Sequence, residues 1–190
     1  MRTADARVQL HELDTGRPWE PDPDPWEAAA RLVRAAQSGD ALAVNDLLTL
    51  LTPYVSRLCR PIALTDSADA VQESLIAVFQ GLPRLKDPTA LYGWVRTITV
   101  REAVRVARRA QRETPWGEFD DVPVSRSAEL VCDVHDVLRR MSSEHRAVLT
   151  LRELEGLDER AASEVLNIPC GTVKSRLHRA RNSFRKAWTR

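Results

Sequence analysis

The sequence predicts an all-α protein with two small helical domains, a flexible acidic linker between them, and a helix-turn-helix in the C-terminal domain. Apolar residues recur at helical spacing along most of the chain. Pro115, Gly117 and Pro123 interrupt that spacing in an acidic stretch. Because this linker is acidic and contains proline, we expect the placement of the two domains to vary without partners. The predicted boundaries are a disordered acidic tail at 1–25, helical domains at 26–112 and 128–190, and the linker at 113–127.

The composition is typical of a protein that folds in water. Hydrophobic residues make up 43% of the 190 positions and charged residues 29%, and no apolar run approaches the roughly 18 residues that a membrane helix needs. The N-terminus lacks the apolar segment of a signal peptide, so we expect a cytoplasmic protein without membrane insertion. Acidic residues concentrate near the start and basic residues at the end, so contact with nucleic acid would be local.

The three cysteines are isolated, and we expect them to be free thiols. Cys59, Cys132 and Cys170 form no CxxC pair. Cys132 and His135 have the spacing of two metal ligands on one helix face, but two ligands are not a site, and we interpret both as packing residues. The sequence contains no phosphate-binding loop and no nucleophile beside a base at a usable spacing. We therefore expect no cofactor, no metal and no enzymatic activity.

The N-terminal domain begins with several short helical segments. Ser38, Gly39 and Asp40 are predicted to end the first helix and to cap the second. Pro53 is predicted to open a third segment, which Pro61 stops. The apolar residues assigned to the core of the second helix are Leu42, Leu47, Leu48 and Leu51.

The next helix is predicted to have an acidic edge. Asp66 has the character of an N-cap, and Gly81 with Pro83 ends the helix. Its buried stripe is assigned to Val71, Leu75, Val78, Phe79 and Leu82. The edge itself carries Asp66, Asp69, Gln72 and Glu73. This edge is either a capped, solvated helix face or a surface that complements a basic partner.

The longest helical pattern follows Pro88, and its second half is basic. Its arginine stripe comprises Arg101, Arg105, Arg108, Arg109 and Arg112, which share one helix face. Like charges on one face repel one another, so the arginine stripe is predicted to bind phosphates. Tyr92 and Trp94 lie near its start, and a tryptophan on an apolar stripe lies more often in a core.

The last fifth of the chain predicts a helix-turn-helix. A short helix over 158–166 is followed by Asn167 and Pro169, which stop it. A second helix then has its apolar stripe at Val173, Leu177, Ala180 and Phe184. No acidic residue occurs between 170 and 190. The residues predicted to contact DNA are Thr172, Lys174, Ser175, Arg176, His178, Arg179 and Arg181.

These segments resemble a known family. GTVKSRLHRAR, residues 171–181, is similar to the recognition helix of bacterial extracytoplasmic-function (ECF) sigma factors of RNA polymerase. DSADAVQES, residues 66–74, is similar to the sigma segment that docks on the coiled coil of the polymerase clamp. The helix with the arginine stripe resembles by position the sigma helix that reads the promoter element nearest the start site. This likeness implies that Tyr92 and Trp94 lie near a loop that could receive an unstacked base. The resemblance covers about residues 26–112 and 128–188.

The resemblance implies a sigma factor that binds RNA polymerase core and directs promoter-specific initiation. Its implied partners are the polymerase clamp coiled coil and flap, promoter DNA, and a separate anti-sigma protein. Two alternatives stay open at this stage. The protein would bind promoter DNA alone if it were a stand-alone helix-turn-helix regulator, and it would bind polymerase only if it had lost promoter reading.

The sequence departs from the family pattern at two positions of the arginine stripe. Relatives commonly carry Asn and Asp where this chain has Arg101 and Arg105. The added charge predicts a helix that binds phosphate and reads the downstream element loosely. The alternative is that Arg105 pairs with Glu102 or another acid and the adjoining loop keeps its shape.

Overall fold

The computed structural model describes residues 25–113 and 134–188, and every regular element within them is helical. The elements are α1 (Pro25–Gln37), α2 (Ala41–Ala63), α3 (Ser67–Gly81), α4 (Leu91–Glu113), α5 (134–139), α6 (Ser143–Leu149), α7 (Glu159–Leu166) and α8 (Cys170–Trp188). The all-α prediction is confirmed. The predicted tail and nearly all of the predicted linker lie outside the described residues. Of the helices in the described part, none has the length and apolar content to cross a membrane.

The junction between α1 and α2 forms as the sequence predicts. Gly39 has a φ of 94°, a left-handed conformation that glycine adopts without steric cost. The Asp40 carboxylate then accepts hydrogen bonds from the backbone N–H groups of Leu42 and Ala43. These two donors have no partner inside the helix, so the carboxylate satisfies them and fixes the start of α2.

Helix α2 is continuous over 23 residues, which corrects the prediction that Pro53 opens a new segment and Pro61 ends it. A proline inside a helix costs about 3 kcal/mol. A fully buried large apolar side chain contributes about 1.5–3 kcal/mol. A stripe of such side chains that continues past both prolines therefore outweighs the cost of the prolines. The stripe consists of Leu47, Leu51, Val55, Leu58 and Ile62. Leu42, assigned to the core from sequence, lies in the first turn on the opposite face and is 77% exposed.

Most of the predicted apolar stripe of α3 packs into the core, but Phe79 does not. Ala70, Ser74 and Val78 are completely buried, whereas Phe79 is 52% exposed. The Ser74 hydroxyl donates to the Ala70 carbonyl at 2.6 Å, so this polar group can be buried at the contact with α2. The buried face of α3 thus includes Ala70 and Ser74, and Phe79 lies outside it.

Asp66 occupies the predicted N-cap position of α3, but its side chain does not cap the helix. Asp66 closes a 3₁₀ turn over Leu64–Asp66, and its carboxylate accepts no hydrogen bond from the first turn of α3. It accepts one from the Thr65 hydroxyl instead, at 3.2 Å. The carboxylate therefore stays at the surface beside the start of α3.

The predicted bounds of the first helix of the helix-turn-helix are confirmed, and side chains cap two helices of the C-terminal half. Ser142 caps α6 by accepting from the His145 N–H, and Asp158 caps α7 by accepting from the Ala161 N–H at 2.7 Å. Asn167 ends α7 in the left-handed conformation, with φ 52° and ψ 50°. The π-helical turn Thr150–Leu154, which no sequence pattern predicted, continues α6 before Gly156 turns the chain.

The two halves of the chain are packed against each other around one apolar core, whereas the acidic linker predicted a variable placement of the two domains. Helix α2 contacts α6, and α4 contacts both α6 and α7. The core joins residues such as Val95 and Val100 of α4 to Leu151, Ala162 and Val165 of the C-terminal half. A smaller cluster seats α8 on α5 and α6 through Val137, Met141 and Ala180. This packing fixes where the candidate binding surfaces lie.

Candidate nucleic-acid and protein interfaces

Helix α8 presents its basic face to solvent. Val173, Leu177 and Ala180 are buried beneath it, as the apolar stripe predicts. Ala162 of α7 is fully buried, which allows the close approach of α7 and α8. Lys174, Ser175, His178, Arg179 and Arg181 are exposed, and Thr172 and Arg176 are partly exposed. The structure thus brings all seven predicted DNA-contacting residues of α8 to one accessible side of the helix.

The turn before α8 holds this basic face in a defined position. The backbone N–H groups of Thr172 and Val173 both donate to the Pro169 carbonyl, at 2.8 and 3.1 Å. Ser163 of α7 donates from its hydroxyl to the Ile168 carbonyl at 2.6 Å. A two-helix unit with a rigid turn and an exposed second helix can enter a DNA major groove.

One residue of this face has an acidic neighbour. Arg181 donates two hydrogen bonds to Glu153, at 3.1 and 2.7 Å, and both side chains are about half exposed. Exposed pairs of this kind contribute about 0–1 kcal/mol and are screened by salt. Phosphate could therefore replace Glu153 as the partner of Arg181.

The arginine stripe of α4 is divided by its intramolecular contacts. Arg101 donates from Nε to the Val165 carbonyl at 2.8 Å and from Nη2 to the Glu164 carbonyl at 3.1 Å. Both acceptors belong to the last turn of α7. The Arg101 side chain is therefore directed at the helix-turn-helix and not at solvent phosphate.

Arg105 and Arg108 have carboxylate partners. Arg105 pairs with Glu102 at 2.6 Å and with Glu73 of α3 at 3.1 Å. Glu102 raises the pKa of the Arg105 guanidinium, and Glu73 raises it to a smaller extent. Arg108 pairs with Glu144 of α6 at 2.6 Å. The pairing of Arg105 with Glu102 agrees with the alternative stated from the sequence.

Arg109 and Arg112 complete the arginine stripe. Both are exposed, and within the described ranges 25–113 and 134–188 neither forms an ion pair. They are the two members of the stripe whose charge has no intramolecular partner there. Any contact of phosphate with α4 in this arrangement would fall first on these two residues.

The acidic edge of α3 is only partly free. Asp69 and Gln72 are exposed, whereas Glu73 is occupied by Arg105 and Asp66 accepts from Thr65. Sequence reasoning missed that the same exposed face continues with Ile76 and Phe79, which are 43% and 52% exposed. The i, i+3, i+7, i+10 spacing from Asp69 contained this signal, but Phe79 was assigned to the core.

Tyr92 and Trp94 pack within the N-terminal half. The rings of Tyr92 and Tyr54 meet edge to face, with centroids 5.4 Å apart. Trp94 lies so close to α3 that a Cβ added at Gly81 would stand 2.8 Å from its ring. Both side chains are partly buried, so the packing interpretation of Trp94 describes this arrangement better than an open base-receiving site.

A polar cluster that the sequence did not reveal joins the halves at Glu155. This residue follows the π-helical turn, and its side chain is only 5% exposed. It accepts from the Tyr54 hydroxyl at 2.8 Å and from Arg57 at 2.6 Å, and Arg96 lies 3.6 Å away. Burial, followed by the bond to Glu155, raises the pKa of the Tyr54 phenol well above its ordinary value. The phenol therefore acts as a donor at neutral pH.

A second junction is formed by Arg146 of α6. Its side chain is buried, with 3% exposure. It donates to the Ile62 carbonyl at the end of α2 and to the carbonyls of Leu138 and Met141 in its own half. Buried acceptors at helix ends need donors, and this guanidinium supplies them for two helices at once.

The described cysteines are free thiols, as predicted. Cys59 is buried and Cys170 is exposed, while Cys132 lies outside the described residues. Burial raises the pKa of Cys59 to about 11, which keeps it protonated and unreactive. In the described part of the chain, no three His, Cys, Asp or Glu side chains are grouped so that they could hold a metal ion.

Two family models match the two halves. The model described as Sigma-70 region 2 matches residues 43–113, and the model described as Sigma-70, region 4 matches residues 133–183. The fold and its surfaces thus define a sigma-70-type transcription factor with a region 2 and a region 4.

Related sequences narrow the family. The ECF RNA polymerase sigma-E factor of Haemophilus influenzae is 33% identical over 176 residues, which cover 79% of this chain and 89% of the relative. The sigma-E factor of Salmonella typhimurium (strain LT2) is 29% identical over 172 residues, which cover 80% and 90%. The protein belongs to the ECF family of RNA polymerase sigma factors, and it is a sigma factor that directs transcription initiation.

Two solved structures have a similar fold. CnrH in complex with the cytosolic domain of CnrY has a TM-score of 0.58 and 23% identity, covering 84% of this chain and 96% of that one. The sigma factor RpoE of Bartonella quintana, in complex with the anti-sigma factor NepR, has a TM-score of 0.61 and 21% identity, covering 76% and 96%. At these identities the likeness concerns the fold alone.

Proposed function

We propose that this sigma factor reads the upstream promoter element with α8 and contacts the downstream element with the arginine stripe of α4. The observation that carries the proposal is the exposed basic face of α8 above its buried apolar stripe. Arginine and lysine on such a face can contact both phosphates and guanine edges in the major groove. Lys174 and Arg179 have no acidic partner among the described residues and lie in the middle of the face.

The acidic edge of α3 is proposed to dock on the clamp coiled coil of the polymerase core. Asp69 and Gln72 supply its exposed polar part, and complementary charge favours a basic partner surface. The C-terminal half is proposed to contact the polymerase flap. The protein acts in the cytoplasm, catalyses no reaction itself and needs no cofactor, because the polymerase supplies the chemistry.

A separate anti-sigma protein is proposed to regulate it. Support comes from the two solved structures of similar fold, since one contains the anti-sigma factor NepR and the other the cytosolic domain of CnrY. A partner of this kind would act on the docking and DNA-contacting surfaces.

Run-off transcription with reconstituted holoenzyme tests the proposal. The double variant Lys174→Ala/Arg179→Ala should lose initiation at a cognate promoter while still co-purifying with polymerase core. Arg31→Ala removes an exposed arginine from α1, far from α8 in the chain, and should initiate like the wild type. Wild-type initiation by the double variant would refute the role of α8.

The same reagents separate the two alternatives. A stand-alone regulator would bind the promoter fragment specifically without polymerase. A polymerase-binding protein that had lost promoter reading would co-purify with core and give no promoter-specific transcript.

A further inference from the structure

Two residues of the arginine stripe, which is proposed to contact DNA, are bonded to the C-terminal half of the protein. Arg101 is bonded to the last turn of α7, and Arg108 is paired with Glu144 at the first turn of α6. Both contacts cross from the N-terminal half to the C-terminal half. The stripe therefore has two roles that use the same guanidinium groups.

The partners of Arg101 and Arg108 are chemically similar to phosphate. Carbonyl oxygens at a helix C-terminus carry partial negative charge and lack partners within the helix. Val165 is a strong example, because the residue four positions later is Pro169, which has no N–H to donate. Glu144 supplies a full negative charge, which the first turn of α6 favours. DNA phosphate can compete with each of these acceptors.

The contacts of the arginine stripe are more exposed, and therefore weaker, than the polar contacts of Arg146 and Glu155 between the halves. The side chains of Arg146 and Glu155 are almost completely buried, so water and ions have little access to the bonds of Arg146 and to the carboxylate of Glu155. Arg101, Arg105 and Arg108 are exposed, and exposed ion pairs are weak and sensitive to salt. The stripe is thus the part of the junction that a polyanion can reach first.

We propose that DNA and the C-terminal half compete for Arg101 and Arg108, so that binding of DNA along α4 opens the contact of α4 with α6 and α7. The proposal rests on the proposed function, since it takes the arginine stripe to be a DNA surface. Competition for one set of groups makes the coupling reciprocal: DNA favours the open arrangement, and an opened junction favours DNA. Closure lowers the affinity of the isolated protein for DNA.

The test measures the distance between spin labels on the two halves of the full-length chain by double electron–electron resonance. Labels are placed on Asn45→Cys and Arg160→Cys, both at exposed positions, with Cys132 and Cys170 replaced by serine. The probe is a short mixed-sequence DNA duplex, titrated at low salt. The wild-type background should give a narrow distribution without DNA and a longer, broader one with DNA.

Two substitutions form a matched pair. Glu144→Gln and Glu102→Gln each remove one carboxylate that pairs with the arginine stripe, but only Glu144 belongs to the opposite half. Glu144→Gln should open the junction at about two- to fivefold lower DNA concentration, the range that one exposed ion pair allows. Glu102→Gln should leave the DNA-free distance unchanged.

The outcomes distinguish the two proposals. If Arg109→Ala/Arg112→Ala weakens DNA binding but DNA leaves the label distance unchanged, the competition is refuted and the DNA surface stands. If that double variant binds DNA like the wild type, the arginine stripe is no DNA surface and the proposed role of α4 fails with it. Circular dichroism melting confirms that each variant is folded.

Discussion

Arg101 of α4 donates from Nε to the carbonyl oxygen of Val165, the penultimate residue of α7, at 2.8 Å. The sequence predicted that Arg101 and Arg105 bind phosphate and loosen the reading of the downstream element. In the protein without DNA both side chains have intramolecular partners, Arg101 in the helix-turn-helix and Arg105 at Glu102 and Glu73. Loose reading of the downstream element stays a prediction, and it requires that DNA displace these partners.

Removing the Arg101 side chain should destabilise the protein. We expect Arg101→Ala to lower the free energy of unfolding by about 1 kcal/mol, because two carbonyls lose a charged donor at an exposed site. Arg109→Ala removes a neighbouring exposed arginine that forms no ion pair with the described residues, and it should change stability by less than about 0.5 kcal/mol. Urea denaturation measures both. Equal effects would show that the bonds to α7 contribute nothing to stability.

Single substitutions on α8 should separate base reading from phosphate binding. A base-reading residue replaced by alanine loses about 1–3 kcal/mol at one promoter position, whereas a lost phosphate contact weakens all sequences alike. We expect Lys174, Arg176, Arg179 and Arg181 to include both kinds. Initiation from a promoter library randomised in the upstream element measures the difference. Unchanged preference and rate in all four alanine variants would refute the assignment.

Docking on polymerase is better tested at Asp69 than at Glu73. Asp69 is exposed, so Asp69→Lys should weaken core binding while the melting temperature stays constant. Glu73→Lys would place a lysine beside Arg105, its present partner, and should lower stability as well. Pull-down of core polymerase together with thermal melting measures both effects. If Asp69→Lys binds core normally, the acidic edge is only a solvated helix face.

Helix ends and the exposed face of α8 could be predicted because their signals are local. Asp40, Asp158 and Asn167 each act within a few residues of their own position. The continuity of α2 through Pro53 could not be predicted from local signals, since burial against other helices offsets the local cost of proline. The charge partners of the arginine stripe were equally hidden, because Glu144 is 36 residues from Arg108 and only the packing of the halves joins them.

Acid should weaken the junction at Glu144. Partial burial opposes ionisation of this carboxyl, but its own backbone N–H and Arg108 lower its pKa below the ordinary value of 4.5. A lowered pKa in the folded state means that the carboxylate stabilises the fold above the unfolded pKa, and this stabilisation is lost as the pH falls below 4.5. Between about pH 5 and pH 3.5, the wild type should therefore lose more stability than Glu144→Gln.

Urea denaturation across this pH range makes the measurement. The control is Arg108→Ala, which removes the main side-chain partner of Glu144. In this background, Glu144→Gln should change the pH dependence of the free energy of unfolding less than it does in the wild type. Parallel pH profiles for the wild type and Glu144→Gln would show that the pair does not stabilise the closed arrangement.

The stability of the protein should be especially sensitive to substitution of Arg146, whose guanidinium is buried. Burial lowers its pKa to about 10, so it remains charged at neutral pH. Arg146→Met keeps much of the side-chain volume but leaves the carbonyls of Ile62, Leu138 and Met141 without this donor. Each unsatisfied buried acceptor costs about 1–3 kcal/mol, and removing a desolvated charge recovers part of that loss.

We therefore expect Arg146→Met to lower the free energy of unfolding by about 2–4 kcal/mol, with Arg146→Lys between it and the wild type because an ammonium reaches fewer carbonyls. Arg140→Met, at an exposed position of the same half, should change stability by less than about 0.5 kcal/mol. Label distances between the halves, measured on the same variants, distinguish unfolding from separation. If Arg146→Met is as stable as the wild type and equally closed, the apolar core alone holds α2 to α6.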